Sequence, residues 1–442
     1  MKILHAFHHS NLVNGVDQTT LTLLRTLQSM GHSVSALVPQ EGDVTAALAK
    51  LGVDYRTSAL GCCAGPAKMA EFAYLSRAAI RSEEIEEWLK SERFDLVHVN
   101  TGHLLDASIA AARAGVPAVW HIHAPYEVDL QRYAGFMAPE GYAWLLETLG
   151  SHVIAVSDDV RTSLLPHLPA QKVSTLHNGI DVEDLEQRAG VGGTSSIREE
   201  LGLAPETRLV IGVGRISAQK DFATFVRVAS RVAAVHPGAC FAIVGPAEER
   251  SLAAALEEQI TELQLSNRVF LLGPRLDVPR LLAQSDVFLS TAIFEGQGLA
   301  ALEALALRVP VVAMDCVGLR ECLRHGTDSI VVPLGDEEAC AAAVGQLISD
   351  PVLSGTLGAQ GREAVAARYS AAAYAQGFLT IVDRVVAQYE PGLNAGAASF
   401  ALGLLHELRE AHARLTQQSH ANTSTMHRLL SRALGRSSGH RN

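Results

Sequence analysis

The amino-acid sequence predicts an α/β protein built as two doubly wound, parallel-sheet domains that face a central cleft. Short β-branched runs alternate with amphipathic stretches, the alternation lapses into a charged and glycine-rich segment near residue 190, and it resumes at Leu209. At 442 residues the chain exceeds what one ordinary core holds, and two units of similar size account for its length.

Residues 3–7 read as a strand. Residues 17–30 follow as a helix that starts on Asp17 as its cap, turns Leu21, Leu24 and Leu27 to one face and stops at Gly31. Residues 33–38 are the next strand, which completes a βαβ unit. Further strands are predicted at 95–99, 117–122, 152–156 and 173–176, each separated by enough chain for the crossover that parallel pairing needs. These elements define a first domain over 1–185. The stretch 181–196, ending in Gly192-Gly193-Thr194-Ser195-Ser196, reads as the linker. A second domain over 197–370 has strands at 209–213, 239–244, 269–272, 287–290, 310–313 and 329–332, with helical stretches such as 251–263 between them. From Pro391 to Asn442 the chain reads as an appendage, with six arginines against two glutamates. Its low apolar content reads as a solvated, partly disordered tail; the alternative is a helix on which Arg428, Arg432 and Arg436, recurring every four residues, present a basic stripe to an anionic membrane.

A formal net charge of -11 excludes the broad positive field of a nucleic-acid binder, so a small anionic ligand needs local cations. The six cysteines form no C-x-x-C pair, which argues against both a zinc ribbon and a disulfide framework and suits a reducing cytoplasm. No run is long and apolar enough to span a bilayer, and the opening MKILHAFHHSN turns polar too soon for a secretory leader. A cytoplasmic protein is expected, and peripheral contact at the inner membrane face through the basic tail is the alternative that the arginine stripe leaves open.

In open parallel sheets ligands sit beyond the carboxyl ends of the strands, so those ends carry the candidate chemistry. The strand 287–290 runs into Thr291-Ala292-Ile293-Phe294-Glu295-Gly296-Gln297-Gly298 and then a helix from Leu299. The two glycines allow close backbone approach, the helix start offers N–H groups to phosphate, and Glu295 stands at the mouth to accept from sugar hydroxyls. Glu303 has only Leu299, Ala300, Ala306 and Leu307 as helical neighbours. A carboxylate without a polar face needs a partner, which a ribose diol supplies; otherwise it reaches solvent from a thinly covered helix. Gly214, Arg215 and Lys220 follow the first strand of the second domain and place two cations where a diphosphate would need them. Asn14-Gly15 follows the first strand of the chain in a loop able to cover a pyrophosphate. His121 and His123 share one side of a strand, but a zinc site needs a third ligand that the spacing does not supply, although His8 and His9 end another strand. An active-site histidine that binds a hydroxyl or phosphate is the expectation, and no metal is assigned.

Taken in order, these segments resemble the family 4, or group 1, retaining glycosyltransferases, whose fold of two Rossmann-like domains is termed GT-B. The resemblance runs from Met1 to about Tyr389 through Asn14-Gly15, Gly31-His32, the strand ending at His123, and Asn178-Gly179-Ile180-Asp181. It continues through Gly214-Arg215 with Lys220, Val244-Gly245, Gly273, Glu295-Gly296-Gln297-Gly298-Leu299 with Leu302-Glu303-Ala304, and Pro310-Val311-Val312. It implies a nucleotide-sugar-dependent hexosyltransferase of glycan or glycoconjugate biosynthesis. Its donor is UDP- or GDP-linked, and its acceptor is a sugar, lipid-linked glycan or small molecule. Glu295 would bind donor sugar hydroxyls, Glu303 the ribose, Arg215 and Lys220 the diphosphate, and His123 the sugar near the reacting centre. Gly15, Gly298 and Leu299 would border the donor, and Arg275 would lie at the nucleobase. The helix 371–389 would cross back onto the first domain, and catalysis would need no cofactor or metal.

The sequence departs from the family pattern at Asn14, at Gln297, where an aromatic residue beside the donor sugar is common, and at Val317-Gly318. The same fold also serves sugar-nucleotide epimerases and phosphorylases, and a catalytically silent binding module is a further alternative. His103, Tyr126, Glu127 and Arg132 are the candidate acceptor contacts.

Overall fold

A computed structural model describes residues 1–12, 15–60, 68–131, 139–190, 196–392, 395–403, 406 and 410. The first sheet contains β1 (Lys2–Ala6), β2 (Ser33–Val38), β3 (Asp54–Thr57), β4 (Leu96–Val99), β5 (Ala118–Ile122), β6 (His152–Ala155) and β7 (Val173–Thr175), in the order β3-β2-β1-β4-β5-β6-β7. The second contains β8 (Arg208–Val213), β9 (Ala239–Val244), β10 (Val269–Gly273), β11 (Val287–Ser290), β12 (Val311–Met314) and β13 (Ser329–Val332), in the order β10-β9-β8-β11-β12-β13. Every strand pairing is parallel. Both sheets are therefore doubly wound, and each reverses direction at one point: between β1 and β4, and between β8 and β11. Those are the crevices in which such sheets bind ligands.

Strand burial explains why most strands were readable. β4, β5 and β6 are buried throughout, as are β9, β11 and β12, and such strands read as continuous apolar runs. β3 is different: Asp54-Tyr55-Arg56-Thr57 is an edge strand, mostly exposed, with no apolar run to announce it.

The helix Ala371–Gln388 returns to the first sheet, where Tyr374, Phe378 and Val382 pack with Ile3, Phe7, Leu23 and Leu24. The two crossings between the sheets run side by side: Ile180 N–H donates to Tyr369 O at 2.7 Å and Ala371 N–H to Ile180 O at 3.2 Å. Among the described residues, no helix is long and apolar enough to cross a membrane.

Three local expectations change. Asp17 is no cap; it is the third residue of the helix Gly15–Ser29 and is fully buried. Much of the expected linker is the helix Val182–Gly190, whose Leu185 packs into the core of the second sheet; residues 191–195 lie outside the described residues. Past Pro391, Ala398, Ala401 and Leu402 are buried in the first domain's core, so this stretch belongs to the fold. Apolar residues three and four apart make one helical face there, and that face has a core to join. Arg428, Arg432 and Arg436 lie outside the described residues.

Candidate active site

The carboxyl ends of the two sheets border one cleft of about 310 Å³, and its lining includes Gly15, His123, Arg215, Lys220, Arg275, Glu295, Gly298, Leu299 and Glu303. β11 delivers the loop that carries Glu295. Gly298 then starts the helix Leu299–Ala306 at φ +80°, where an added Cβ would lie 2.2 Å from Leu319 Cδ2, so the backbone conformation and the neighbour both select glycine. Glu295 is nearly buried; its carboxylate receives the Lys220 ammonium and, at 3.3 Å, Gln219 Nε2. A buried carboxylate held by one cation is satisfied, yet it keeps lone pairs for hydroxyl donors.

Glu303 is held differently. It lies on the helix that follows, its carboxylate has no hydrogen-bond partner among the described residues, and it borders both the cleft and a second groove of about 560 Å³. Burial pushes its carboxyl up to about 7, against the opposing pull of Arg188 and Lys220. Such a group charges readily once donors are brought to it.

The other cations differ in freedom. Arg215, after β8, is half-exposed and pairs with the exposed Glu248 at 3.2 Å, a contact easily exchanged for phosphate. Arg275 is anchored, with bonds to Asp277 at 2.8 Å and Glu200 at 2.5 Å, and Arg280 completes the network. Hydrogen bonding by Arg275 holds the Asp277 carboxyl well below the usual range, and the Asp277 and Glu200 carboxylates raise the Arg275 guanidinium in turn. Arg275 thus borders the cleft as part of a neutralised cluster.

On the first-domain wall, His123 Nε2 lies 3.0 Å from Asn100 Oδ1, and the Asn100 amide nitrogen donates to Thr20 Oγ1. With the carboxamide so oriented, His123 carries its proton on Nε2. Its ring stacks on His121 at 4.4 Å, and a row of buried imidazoles continues behind it, His121 Nδ1 to His98 Nε2 at 3.2 Å and His98 Nδ1 to His5 Nδ1 at 2.9 Å. Burial keeps this row neutral: His5 falls to about 3, and His98 and His121 well below their ordinary value. His9, also at the cleft, pairs with Asp17 at 3.1 Å, and burial raises the Asp17 carboxyl despite that contact. Among the described residues, no group of three or more His, Cys, Asp or Glu side chains is arranged to hold a metal ion.

The domains meet where glycines let them. A Cβ on Gly15 would stand 2.9 Å from Leu299 Cδ1, and one on Gly296 would stand 2.1 Å from the carbonyl oxygen of His123. Gln297, expected beside the donor sugar, has its side chain committed elsewhere. Its Oε1 accepts from Asn178 N–H at 2.7 Å and its Nε2 donates to Asn178 O at 3.2 Å.

The expected acceptor contacts fare unevenly. His103 is fully buried against Thr101 and Asp129, and Tyr126 is buried with its hydroxyl donating to Pro139 O. Glu127 is exposed, and Arg132 and Asn14 lie outside the described residues. Sequence reasoning missed the His9–Asp17 pair, and it missed Asn100 and Gln219, whose partners His123, Thr20 and Glu295 lie far from them along the chain. The single available signal was an asparagine at a strand end.

A family model described as Glycosyltransferase Family 4 matches residues 13–184, and one described as Glycosyl transferases group 1 matches residues 207–350. The chain is 29% identical over 279 residues to an Escherichia coli UDP-Gal:alpha-D-GlcNAc-diphosphoundecaprenol alpha-1,3-galactosyltransferase, covering 60% of this chain and 69% of that protein. It is 29% identical over 315 residues to the alpha-maltose-1-phosphate synthase of Mycobacterium tuberculosis, covering 66% of this chain and 79% of that protein. Among solved structures, Anabaena Alr3699/HepE in complex with UDP and glucose superimposes with a TM-score of 0.71 at 21% identity, covering 87% of this chain and all (100%) of that one. Sucrose-phosphate synthase from Thermosynechococcus elongatus superimposes with a TM-score of 0.69 at 19% identity, covering 88% of this chain and 99% of that one. At these identities the structural likeness establishes the fold.

Proposed function

The chain belongs to the family 4, or group 1, glycosyltransferases, and from that premise we propose that it moves a hexose from a UDP-hexose to an acceptor hydroxyl, with retention at the anomeric carbon, in glycoconjugate biosynthesis. The observation that carries this reading is the pairing in one cleft of a cation-held carboxylate, Glu295, with Glu303, whose carboxylate has no hydrogen-bond partner among the described residues, beside the half-exposed cation Arg215.

In this reading Glu303 takes the ribose hydroxyls as its donors, and its carboxyl ionises as they arrive. Arg215 and Lys220 face the diphosphate, with the N–H groups at Gly298 and Leu299 and the glycine at position 15 admitting it closely. Glu295 accepts from the sugar hydroxyls, and His123, its ring fixed by Asn100, faces the sugar from the opposite wall. As the acceptor oxygen bonds to the anomeric carbon on the face the diphosphate leaves, the bond to the diphosphate breaks, the hydroxyl proton passes to the departing phosphate oxygen, and the two cations stabilise the charge that leaves with it. Transfer on this account is metal-independent. UDP is favoured over GDP by the Escherichia coli relative named for UDP-Gal and by HepE, described with UDP and glucose.

The test is a thermal-shift screen of UDP-glucose, UDP-galactose, UDP-N-acetylglucosamine and GDP-mannose, followed by NMR of the product anomer with and without EDTA. A UDP-hexose that raises the melting temperature and yields product of unchanged anomeric configuration supports the reading. An epimerised nucleotide sugar formed without acceptor, or no turnover with any donor, refutes it.

A further inference from the structure

Beside the cleft, outside its lining, the two domains exchange carboxylates. Glu321, in the second domain, accepts from the backbone N–H of Asp158 at 2.8 Å and of Asp159 at 2.5 Å, and its Oε2 lies 3.2 Å from His177 Nε2, all in the first domain. Asp159 returns the contact, its Oδ2 accepting from Gly318 N–H at 2.9 Å. Gln297 adds the paired hydrogen bonds to the Asn178 backbone. Charged acceptors on backbone N–H groups make the stronger kind of hydrogen bond, and here they are arranged reciprocally across a boundary.

This junction is wired to the site. Val317, four residues before Glu321, accepts from Glu295 N–H at 2.9 Å, and a Cβ on Gly318 would meet Glu295 O at 2.3 Å, so the segment 317–321 and the Glu295 loop move together. On the first-domain side, Val156 precedes Asp158 and Asp159 by two and three residues, and Gly296 packs against it and against the carbonyl of His123. Holding Glu321 on Asp158 and Asp159 therefore holds Glu295 opposite His123.

We propose that Glu321 and Asp159 are positioning residues for transfer. They fix the closed arrangement in which a sugar held by Glu295 meets His123, while contributing nothing directly to donor binding. Neither side chain borders the cleft. The proposal rests on the functional reading above for its kinetic consequence and on the hydrogen bonds alone for its structural one.

The experiment compares wild type with Glu321→Ala, Glu321→Gln and Asp159→Ala. The probes are calorimetric UDP binding, steady-state turnover of whichever UDP-hexose the thermal screen selects, and small-angle scattering with UDP present. Glu321→Ala should lower kcat at least tenfold while UDP affinity stays within threefold, and its radius of gyration should rise. Glu321→Gln keeps one acceptor oxygen and should recover at least threefold of the lost kcat, and Asp159→Ala should follow Glu321→Ala. A kcat within twofold of wild type, or equal losses of kcat and UDP affinity, would overturn the assignment. If wild type turns over no donor, the functional reading fails and scattering alone decides the positioning role, an unchanged radius of gyration in both alanine variants refuting it.

Discussion

Replacing Glu303 by Gln should stabilise the empty protein and weaken donor binding, and both effects follow from the same carboxyl. Burial raises it from 4.5 to about 7. A carboxyl so raised binds its proton more tightly folded than unfolded, so its stabilising contribution is full below pH 4.5 and is lost as pH climbs through 7. At about 1.4 kcal/mol per pH unit, the ceiling on that loss is ~3 kcal/mol, and partial exposure to the cleft and the adjoining groove reduces it to about 2. Glutamine removes the titration, so Glu303→Gln should exceed wild type by about 2 kcal/mol at pH 8 and by less than ~1 kcal/mol at pH 5. The donor cost is separate: exchanging a charged acceptor for a neutral one should weaken UDP roughly tenfold. Trp88, Trp120 and Trp144 all lie in the first domain, so urea denaturation should be followed by circular dichroism and not by tryptophan fluorescence. A stability gap of the same size at pH 5 and pH 8, or a less stable Glu303→Gln at pH 8, would refute the reasoning.

The row of His5, His98 and His121 acts with the opposite sign. Each is neutral when folded and titrates near 6.5 when unfolded, so stability is full above that value and falls with pH; for His5 alone the loss at pH 5 is about 2 kcal/mol. In the Glu303→Gln protein, where the offsetting carboxyl is gone, the urea midpoint should drop between pH 7 and pH 5, and a flat or rising midpoint contradicts neutral burial. Lys220→Ala removes the cation on Glu295 and one of the two assigned to the leaving diphosphate, so kcat/KM for the UDP-hexose should fall roughly a hundredfold, and a loss under threefold contradicts that role. Gly298→Ala must adopt φ near +80° against Leu319 and should cost ~1–3 kcal/mol by thermal denaturation; Leu319→Ala in the same chain should recover the steric share, and no recovery would leave the backbone conformation as the whole cause.

The two doubly wound sheets were legible in the sequence because buried parallel strands are apolar on both faces and interrupt the helical period plainly. β3 was not legible, since an exposed edge strand needs no apolar residues. Glu303 was legible by itself as a carboxylate with no polar face to join, whereas the role of Glu295 leaned on family resemblance, and its contact with Lys220 came only from the structure. The segment 182–190 was misread because a charged helix that buries chiefly Leu185 looks like linker composition.

The sequence alone determined the alternation of elements, the strand ends that carry the cations and carboxylates, and the isolation of Glu303, because these depend on neighbours within about ten residues. Tertiary structure decided which side chains are already engaged. Gln297 joins Asn178, Glu321 joins Asp158 and Asp159, His123 joins Asn100, and Arg275 joins Glu200, over separations that no local periodicity encodes. A polar side chain's availability to a ligand depends on what the fold brings within about 3 Å of it, and that is a property of chain crossings and sheet order.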